Sequence, residues 1–365
     1  MKDRGTFDFG FFLTVMILLS FGLVMVFSAS SYSALNDYND SYYVIKRQLI
    51  WALLGLFVMF FMAGFDYRKL AYLSVPFLLI SIVLLVAVLI VGTEVNGARR
   101  WLGIGGLSFQ PSEVAKLAVI IYFSNSLAKK KDKVKKFFTG FVPYLLILGV
   151  IALLVIKEPH LSGAVVIVLV GLMLLFAAGA KIFHFVLMAI PAVAGLVVAV
   201  MMEPYRMRRI VSFLNPWEYK MKEGWQIIQS LYAIGSGGLF GLGLGRSRQK
   251  LLYIPEAQND FIFSILCEEL GFVGAATVII LFIILIWRGI KIAINAGDTF
   301  GSLLATGIIS LIAIQVLINI AVVTSSMPVT GMPLPFFSAG GSSLVFIMMG
   351  MGIVLNISRY SKGRG

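Results

Sequence analysis

The chain has 365 residues, of which 59% are hydrophobic and 13% are charged, and its formal net charge is +13 at pH 7. Charged residues make up about a quarter of a typical soluble chain, so this composition excludes a soluble globular protein and indicates an all-α polytopic membrane protein. The single cysteine, Cys267, excludes an intramolecular disulfide and a cysteine-built metal site.

Ten apolar runs predict ten transmembrane helices within a single integral-membrane domain over residues 1–365, because a hydrocarbon core about 30 Å thick needs roughly 20 apolar residues per helix. The first run is longer than a signal-peptide core and lacks a convincing small-residue cleavage site, so we expect it to remain as the first span. The predicted spans are residues 9–28, 48–64, 71–92, 112–128, 141–156, 162–179, 183–202, 261–286, 301–323 and 342–357.

The distribution of Lys and Arg predicts the orientation of these helices, because cytoplasmic loops carry an excess of both residues. The tails and the loops on their side carry 16 of them, against 5 in the opposite short loops. We therefore expect both termini in the cytoplasm and a large extracellular loop, residues 203–260, between helices 7 and 8. The run "KKKDKVKK" at 129–136 is best interpreted as the strongest topological anchor, with binding of anionic lipid as a lesser role.

The 203–260 segment is basic although it is predicted to face outward. Long translocated loops are largely exempt from the charge rule, and this one has enough apolar residues to fold back on the membrane. The stretch "EPYRMRRIVSFL" predicts an amphipathic interfacial helix. The charges favour either a negatively charged partner or simple surface anchoring. They are Arg206, Arg208, Arg209, Lys220, Lys222, Arg246, Arg248 and Lys250.

A glycine-rich stretch, "GSGGLFGLGLGRSRQK" at 235–250, lies within this segment. It lacks the Gly-Lys-Ser/Thr ending of a P-loop and no βαβ unit surrounds it, so nucleotide binding is disfavoured. One hypothesis is an anion site, in which backbone N–H groups approach a phosphate and Arg246 and Lys250 complete it. The alternative is a flexible turn between interfacial helices.

The stretch "RRWLGIGGLSFQPSEVAKLAV" at 99–119 leads into the fourth span. Ser112 suits an N-cap, and Glu113 then lies in the first turn, where the helix dipole favours an acid. Glu113 and Lys116 are three residues apart and face the same side. They form either a salt-bridged helix start or, because ionisable groups in a span usually face a cavity, a functional pair. Arg99, Arg100 and Trp101 are equally consistent with an interfacial belt and with contacts to a lipid head group.

Two further loops hold polar residues. His160 lies on a very short loop, and with only two histidines in the chain a histidine metal site is improbable. The stretch "SSMPVTGMPLPFFSAGGSSL" at 325–344 has three prolines, so its backbone is expected to pack in protein or to line a polar cavity. Ser342 can cap the tenth span. No Gly-x-Ser-x-Gly elbow is present, which disfavours serine-nucleophile chemistry.

Asp260 is the acid at the outer membrane boundary, directly after the basic loop. Glu268 and Glu269 lie about 12 to 14 Å further along a helix, too far to share a proton with Asp260 as paired glycosidase carboxylates do. A single carboxylate beside an anion site is well suited to take a proton from a hydroxyl while a phosphate leaves.

Four stretches carry a resemblance to a known family. They are "NGARRWLGIGGLSFQPSEVAKL", "YRMRRIVSFLNPWE", "GWQIIQSLYAIGSGGLFGLGLGRSRQKLLYIPEAQNDFIFSILCEELGF" and "PVTGMPLPFFSAGGSSL". Together they resemble the SEDS family of shape, elongation, division and sporulation proteins, which includes FtsW, RodA and the stage V sporulation protein E. The resemblance covers nearly the whole chain and looks closest to the FtsW and sporulation branch of Gram-positive bacteria.

The resemblance implies a peptidoglycan glycosyltransferase in the bacterial cytoplasmic membrane that polymerises lipid II at the outer face. The GlcNAc 4-hydroxyl of the acceptor attacks the MurNAc anomeric carbon of the donor, and undecaprenyl pyrophosphate leaves. Asp260 matches the family's essential acid, as general base or as a ligand to a divalent cation, Mg²⁺ or Mn²⁺. Glu113 and Lys116 match its cavity-facing pair. Further motif positions are matched by Arg47, Trp101, Gln229, Lys250 and Ser343.

The resemblance also implies a class B penicillin-binding protein as partner, with membrane lipids around the chain and no nucleic acid. One departure affects the site: "EPHLSG" replaces the usual Gln-Pro-Asp-Leu-Gly, so His160 stands where the family has a cavity aspartate. This weakens a two-carboxylate metal site. Two alternative functions stay open at this point, a lipid II flippase and a non-catalytic scaffold of the division or elongation machinery.

Overall fold

The computed structural model describes residues 5–95, 98–104, 107–130 and 133–361. Four tail residues that enter the predicted charge bias, Lys2, Arg4, Lys362 and Arg364, and residues 131–132 of the basic run lie outside this range. Within it the chain forms twelve α-helices: α1 Phe9–Tyr38, α2 Tyr43–Gly64, α3 Leu70–Val91, α4 Pro111–Lys129, α5 Val142–Lys157, α6 Leu161–Ala177, α7 Ile182–Met201, α8 Pro204–Leu214, α9 Trp225–Gly237, α10 Ile262–Ile294, α11 Thr299–Val323 and α12 Gly341–Ser358.

A helix covers most of each of the ten predicted spans. In the described part of the chain, eight helical segments are long and apolar enough to cross a membrane by length and composition. The other two predicted spans are α4, which carries Glu113 and Lys116, and α6, which has 17 residues. That all ten helices cross the bilayer stays a prediction. The stretch predicted to form an interfacial helix is helical, as α8, and its location at the membrane interface stays a prediction.

The helices α4 and α7 have opposite environments. All but a few residues of α4 are buried, and it packs against α3, α6, α11 and α12. A helix with an ion pair in its first turn can therefore lie at the centre of the bundle, because protein rather than lipid surrounds it. In contrast, His184 is the one buried residue of α7, which packs chiefly against α8.

A small antiparallel sheet, which the all-α prediction did not include, joins α3 to α4 in an otherwise mostly helical fold. Its strands are β1 Thr93–Val95, β2 Ala98–Ile104 and β3 Leu107–Phe109, with β2 in the middle. Two of the strands have three residues, which is too short for an alternating sequence pattern to be recognised. The sheet presents Arg99, Arg100 and Trp101 from β2 and leads into Pro111, the first residue of α4.

The helix α10 is interrupted at Gly271, whose backbone angles are φ 65° and ψ −164°. The glycine-rich segment 237–243 lies against this break and satisfies the backbone groups that the break would leave unpaired. Four hydrogen bonds join the two segments: Phe272 N–H to Gly238 C=O, Val273 N–H to Leu239 C=O, Leu242 N–H to Glu268 C=O and Gly243 N–H to Glu269 C=O. Two backbone N–H groups of the predicted anion site, those of Leu242 and Gly243, therefore form hydrogen bonds within the protein instead of facing a phosphate.

Replacing Gly241 with alanine is expected to destabilise the protein. Gly241 has φ +77°, and an added Cβ would collide with the carbonyl oxygen of Glu269. A non-glycine residue held in this region costs about 1–3 kcal/mol before the collision is counted. Thermal unfolding in detergent tests this expectation. Gly235→Ala is the matched control, because a Cβ at Gly235 meets no atom within 4 Å; equal melting temperatures for both variants would contradict the assigned role.

Two contacts between α1 and α10 give the depth of the acids near the break. Near one end of α1, Asp8 pairs with Arg288 at 3.0 Å. At the end of the predicted first span, ten residues before α1 itself ends, the Ser28 hydroxyl lies 2.7 and 2.6 Å from the two carboxylate oxygens of Glu269. The helical rise puts Ser28 about 30 Å from Asp8, close to the thickness of a hydrocarbon core. The predicted first span, residues 9–28, therefore puts Glu269 near the membrane boundary opposite to Asp8 and away from the bilayer centre.

Candidate active site

Asp260 lies in the loop just before α10, where the protein holds it from two sides. Its backbone carbonyl accepts from Nδ2 of Asn319, which donates equally to the carbonyl of Met332, both at 2.8 Å. Its carboxylate rests over Gly331, since a Cβ built there would lie 3.3 Å from Oδ2. The α11 amide therefore fixes Asp260 against the 331–332 loop, and the glycine leaves room for the carboxylate.

The carboxylate of Asp260 is half-buried and has no hydrogen-bond donor within bonding distance among the residues the structure describes. Burial raises the pKa of this carboxyl to about 6, partly opposed by the positive charges of Arg209 and Arg100 and reinforced by the negative charge of Glu256. An acid with a pKa near 6 and no committed partner is suited to accept a proton at neutral pH.

Glu113 and Lys116 form a buried ion pair at the start of α4, as their spacing predicted. Nζ of Lys116 lies 2.6 Å from Oε1 of Glu113, and the Ser343 hydroxyl, from α12, donates to Oε2 at 3.3 Å. Both charged side chains are almost completely buried. The pair joins two central helices, and its structural role in the fold is clear from these contacts.

His160 lies beside this pair as a neutral acceptor. Its Nδ1 is 3.1 Å from Nε2 of Gln110 and 3.4 Å from the Ser112 hydroxyl, both at the start of α4. Burial, with Arg100 and Lys116 nearby, lowers the pKa of the imidazole to about 3. A neutral ring therefore occupies a position between two cations, and Ser112 faces the ring instead of forming the predicted N-cap hydrogen bond.

Arg100 interacts with several of the titratable groups of this site. Its guanidinium donates to the backbone carbonyls of Glu158, at 3.1 Å from Nε, and of Pro159. It acts electrostatically on Asp260, Glu158 and His160. Burial raises the pKa of Glu158 to about 8, against the opposing charge of Arg100. Both of its carboxyl oxygens lack a hydrogen-bond partner in the described structure, so a neutral acid is expected there at pH 7.

Lys250 does not face this site. Its Nζ lies 2.9 Å from Oε1 of Glu269 and 3.3 Å from the Ser28 hydroxyl, and the side chain is 6% exposed. Neighbouring Glu268 accepts from the Ser247 hydroxyl and from the backbone N–H groups of Arg248 and Gln249. The two acids bind the basic end of the glycine-rich segment, so the ammonium that was predicted to complete an anion site is instead neutralised within the fold.

The remaining predicted site residues are spread over the chain. Ser342 is buried beside Ser343, and its hydroxyl has no partner in the described structure. Arg99 pairs at the surface with Glu94 at 3.5 Å. Arg47 is exposed, with its guanidinium 5.9 Å from the centre of the Tyr43 ring. Trp101 is half-buried on β2, Gln229 is buried on α9 and Arg246 is exposed.

Sequence reasoning did not select Arg209 or Asn319 as site residues.

The residues around Asp260 do not fit a protein-built metal centre. In the described ranges, no three His, Cys, Asp or Glu side chains are grouped so that they could hold a metal ion. The charged groups that act on Asp260 are two arginines and one glutamate, and two guanidinium groups disfavour a bound cation. A requirement for Mg²⁺ or Mn²⁺ bound through the substrate stays a prediction.

Comparison with known sequences gives a family over nearly the whole chain. The model of the FtsW, RodA and SpoVE family, described as "Cell cycle protein", matches residues 9–363. Stage V sporulation protein E of Bacillus subtilis is 49% identical over 352 residues, 96% of each chain. The probable peptidoglycan glycosyltransferase FtsW of Geobacter sulfurreducens is 44% identical over 365 residues, which cover 100% of this chain and 98% of that one.

Comparison with solved structures agrees. A chain from a peptidoglycan synthase complex, described for its coordination of polymerization and crosslinking, superimposes with a TM-score of 0.81 at 30% identity, covering 98% of this chain and 99% of that one. The rod shape determining protein RodA of Thermus thermophilus gives a TM-score of 0.72 at 28% identity, covering 98% of both chains. With its many apolar helices, the chain is a multi-pass bacterial membrane protein and belongs to the FtsW, RodA and SpoVE family, the SEDS family.

Proposed function

We propose that this protein is a peptidoglycan glycosyltransferase that polymerises lipid II into β-1,4 glycan strands at the outer face of the cytoplasmic membrane, with release of undecaprenyl pyrophosphate. Relatives named as probable peptidoglycan glycosyltransferases, 44% identical over the full chain, support this activity. The observation that carries it is the half-buried Asp260 carboxylate, which has no bonding partner in the described structure and lies in the electrostatic field of Arg100 and Arg209.

In this reaction Asp260 acts as the general base. Its carboxylate takes the proton from the GlcNAc 4-hydroxyl of the acceptor as that oxygen attacks the MurNAc anomeric carbon of the donor. The bond from that carbon to the pyrophosphate oxygen breaks, and attack from the opposite face inverts the configuration. Arg100 is fixed by two backbone carbonyls and keeps its charge, so it is suited to stabilise the departing pyrophosphate.

The proposal includes a ten-span topology with both termini in the cytoplasm and residues 203–260 outside. The bias of 16 Lys and Arg on one side against 5 on the other supports this orientation. It also includes a class B penicillin-binding protein as partner, which the fold match to a chain of a peptidoglycan synthase complex supports. Such a partner crosslinks the strands that this protein would polymerise.

The position of the acids favours an enzyme over a lipid II flippase. A flippase needs a polar path across the bilayer, and Glu268 and Glu269 are acids within the predicted span 261–286 that could contribute to one. Both are engaged with the 247–250 segment, and Glu269 lies level with Ser28 near the membrane boundary. A pure scaffold would leave a half-buried, unpaired carboxylate at Asp260 without a purpose.

The decisive experiment combines the purified protein with its cognate transpeptidase and measures glycan polymer formed from lipid II, with and without Mg²⁺ or Mn²⁺. Polymer formation is expected. Absence of polymer, together with translocation of lipid II in vesicles loaded with the protein, would replace the proposal by the flippase. Absence of both activities would favour the scaffold.

The rate of polymerisation is expected to fall as the pH drops below about 6. Burial raises the pKa of Asp260 to about 6, and a general base works only in its ionised form, so the rate is retained above this pH and lost below it. Initial rates at limiting lipid II between pH 5 and pH 8 test this, because their pH dependence reports the free enzyme. A rate that stays constant down to pH 5 would contradict the assignment of Asp260 as the base.

A further inference from the structure

Arg209 is fastened to the same loop that the Asp260 carboxylate covers. Its Nη1 donates to the backbone carbonyl of Val329 at 2.9 Å, and its guanidinium lies 4.5 Å from the centre of the Tyr205 ring. Val329 is two residues before Gly331, over which Asp260 rests. The Arg209 guanidinium and the Asp260 carboxylate therefore both lie at the 329–331 segment, although they come from distant parts of the chain.

Three charged groups from three elements act on Asp260. Arg209 comes from α8, Arg100 from β2 and Glu256 from the loop of Asp260 itself. Arg209 has the largest effect of the three. Glu256 is exposed and accepts a hydrogen bond from the side chain of Asn259 at 2.6 Å. The charge of Arg209 is thus the main one that favours the ionised carboxylate.

The helix that carries Arg209 has few other attachments to the bundle. It follows α7, which packs chiefly against α8 and exposes nearly all of its residues. Arg206 donates to the carbonyls of Ala199, at 2.7 Å, and Ile156, at 3.3 Å. The bond from Arg209 to Val329 therefore fixes α8 to the loop over which the Asp260 carboxylate rests.

We infer that Arg209 is a positioning residue for the proposed reaction: bound to the Val329 carbonyl, it holds its positive charge near the Asp260 carboxylate and keeps that group ionised without contacting the reacting atoms. This inference rests on the proposed function for its effect on rate. Its effect on the protonation of Asp260 stands apart from that function and can be measured without substrate.

The test compares Arg209→Gln with the matched control Arg208→Gln in the full-length protein with its transpeptidase. Arg208 is the preceding residue along α8 but pairs with Glu223 at 3.2 Å. In the Arg209→Gln protein, the acidic limb of the kcat/KM profile is expected to move to higher pH, with recovery of the rate above the new limb. For each pH unit by which the acidic limb moves upward, the rate at pH values well below the limb falls about tenfold. The Arg208→Gln profile is expected to match the wild type.

Carbodiimide labelling supplies the second readout, because carbodiimides add to protonated carboxyl groups. Mass spectrometry of the Asp260 peptide after labelling between pH 5 and pH 8 is expected to show labelling of Arg209→Gln at higher pH than wild type or Arg208→Gln. If Arg209→Gln does not fold, Tyr205→Leu removes the ring beneath the guanidinium and is expected to shift the labelling in the same direction by a smaller amount.

Two results would overturn the inference. One is an equal loss of activity at every pH with unchanged labelling of Asp260, which a merely structural role would produce. The other is an Arg208→Gln profile that shifts as far as that of Arg209→Gln. A wild-type protein that forms no polymer but labels as expected would overturn the proposed function and leave the relation between Arg209 and Asp260 standing.

Discussion

Replacing Asp260 with asparagine is expected to lower lipid II polymerisation by at least about 100-fold, because general-base catalysis contributes roughly 10²–10⁴-fold and an amide cannot accept the proton. The fold is expected to survive. The contact that fixes this residue, the hydrogen bond from Asn319 at 2.8 Å, goes to the backbone carbonyl and not to the side chain. Polymer yield and melting temperature, measured on the same preparation, separate the two effects.

Glu256→Gln is the matched control for this variant. Glu256 lies four residues away in the same loop and is exposed. Its negative charge raises the pKa of Asp260, so its removal is expected to keep activity at neutral pH and to move the acidic limb slightly downward. If the Asp260→Asn protein polymerised lipid II as fast as Glu256→Gln, another group would have to be the base.

Short-range patterns in the sequence predicted much of the fold and part of the site. Apolar runs of span length indicated the helices, and the three-residue spacing of Glu113 and Lys116 indicated a pair that the structure places at 2.6 Å. Both signals depend on residues close in sequence, where helix geometry alone decides which side chains are adjacent. The sequence alone also showed that Asp260 lies between a polar loop and an apolar run.

The contacts that sequence reasoning missed join distant parts of the chain. Arg209 and Val329 are 120 residues apart, and nothing in the local pattern of α8 distinguishes this arginine from Arg208. One of two hypotheses placed Lys250 in an anion site, because glycines and arginines surround it. Its partner Glu269 is 19 residues away, in the part of α10 that precedes the break at Gly271, and nothing in the apolar run indicates that the two residues meet.

Replacing Glu269 with glutamine is expected to produce the largest loss of stability among single changes outside the site. The carboxylate is fully buried and pairs with Lys250 at 2.9 Å. Glutamine preserves the shape and can still accept from the Ser28 hydroxyl, but it leaves the ammonium buried without a counter-charge. Breaking a buried pair by removing one partner costs roughly 3–5 kcal/mol. Thermal unfolding in detergent measures the loss, and Asp40→Asn, which breaks the exposed pair with Lys46, is expected to leave the melting temperature unchanged.

A double-mutant cycle decides whether this loss belongs to the ion pair. Lys250→Met alone leaves the carboxylate of Glu269 without its cation, whereas Lys250→Met combined with Glu269→Gln removes both charges of the pair. The double variant is therefore expected to be more stable than the sum of the two single losses predicts, because much of each loss is the penalty of an uncompensated buried charge. Strict additivity would show that the two side chains stabilise the fold independently. Polymerisation is expected to follow stability in this series, since the pair holds the segment from which the chain continues to Asp260, ten residues beyond Lys250.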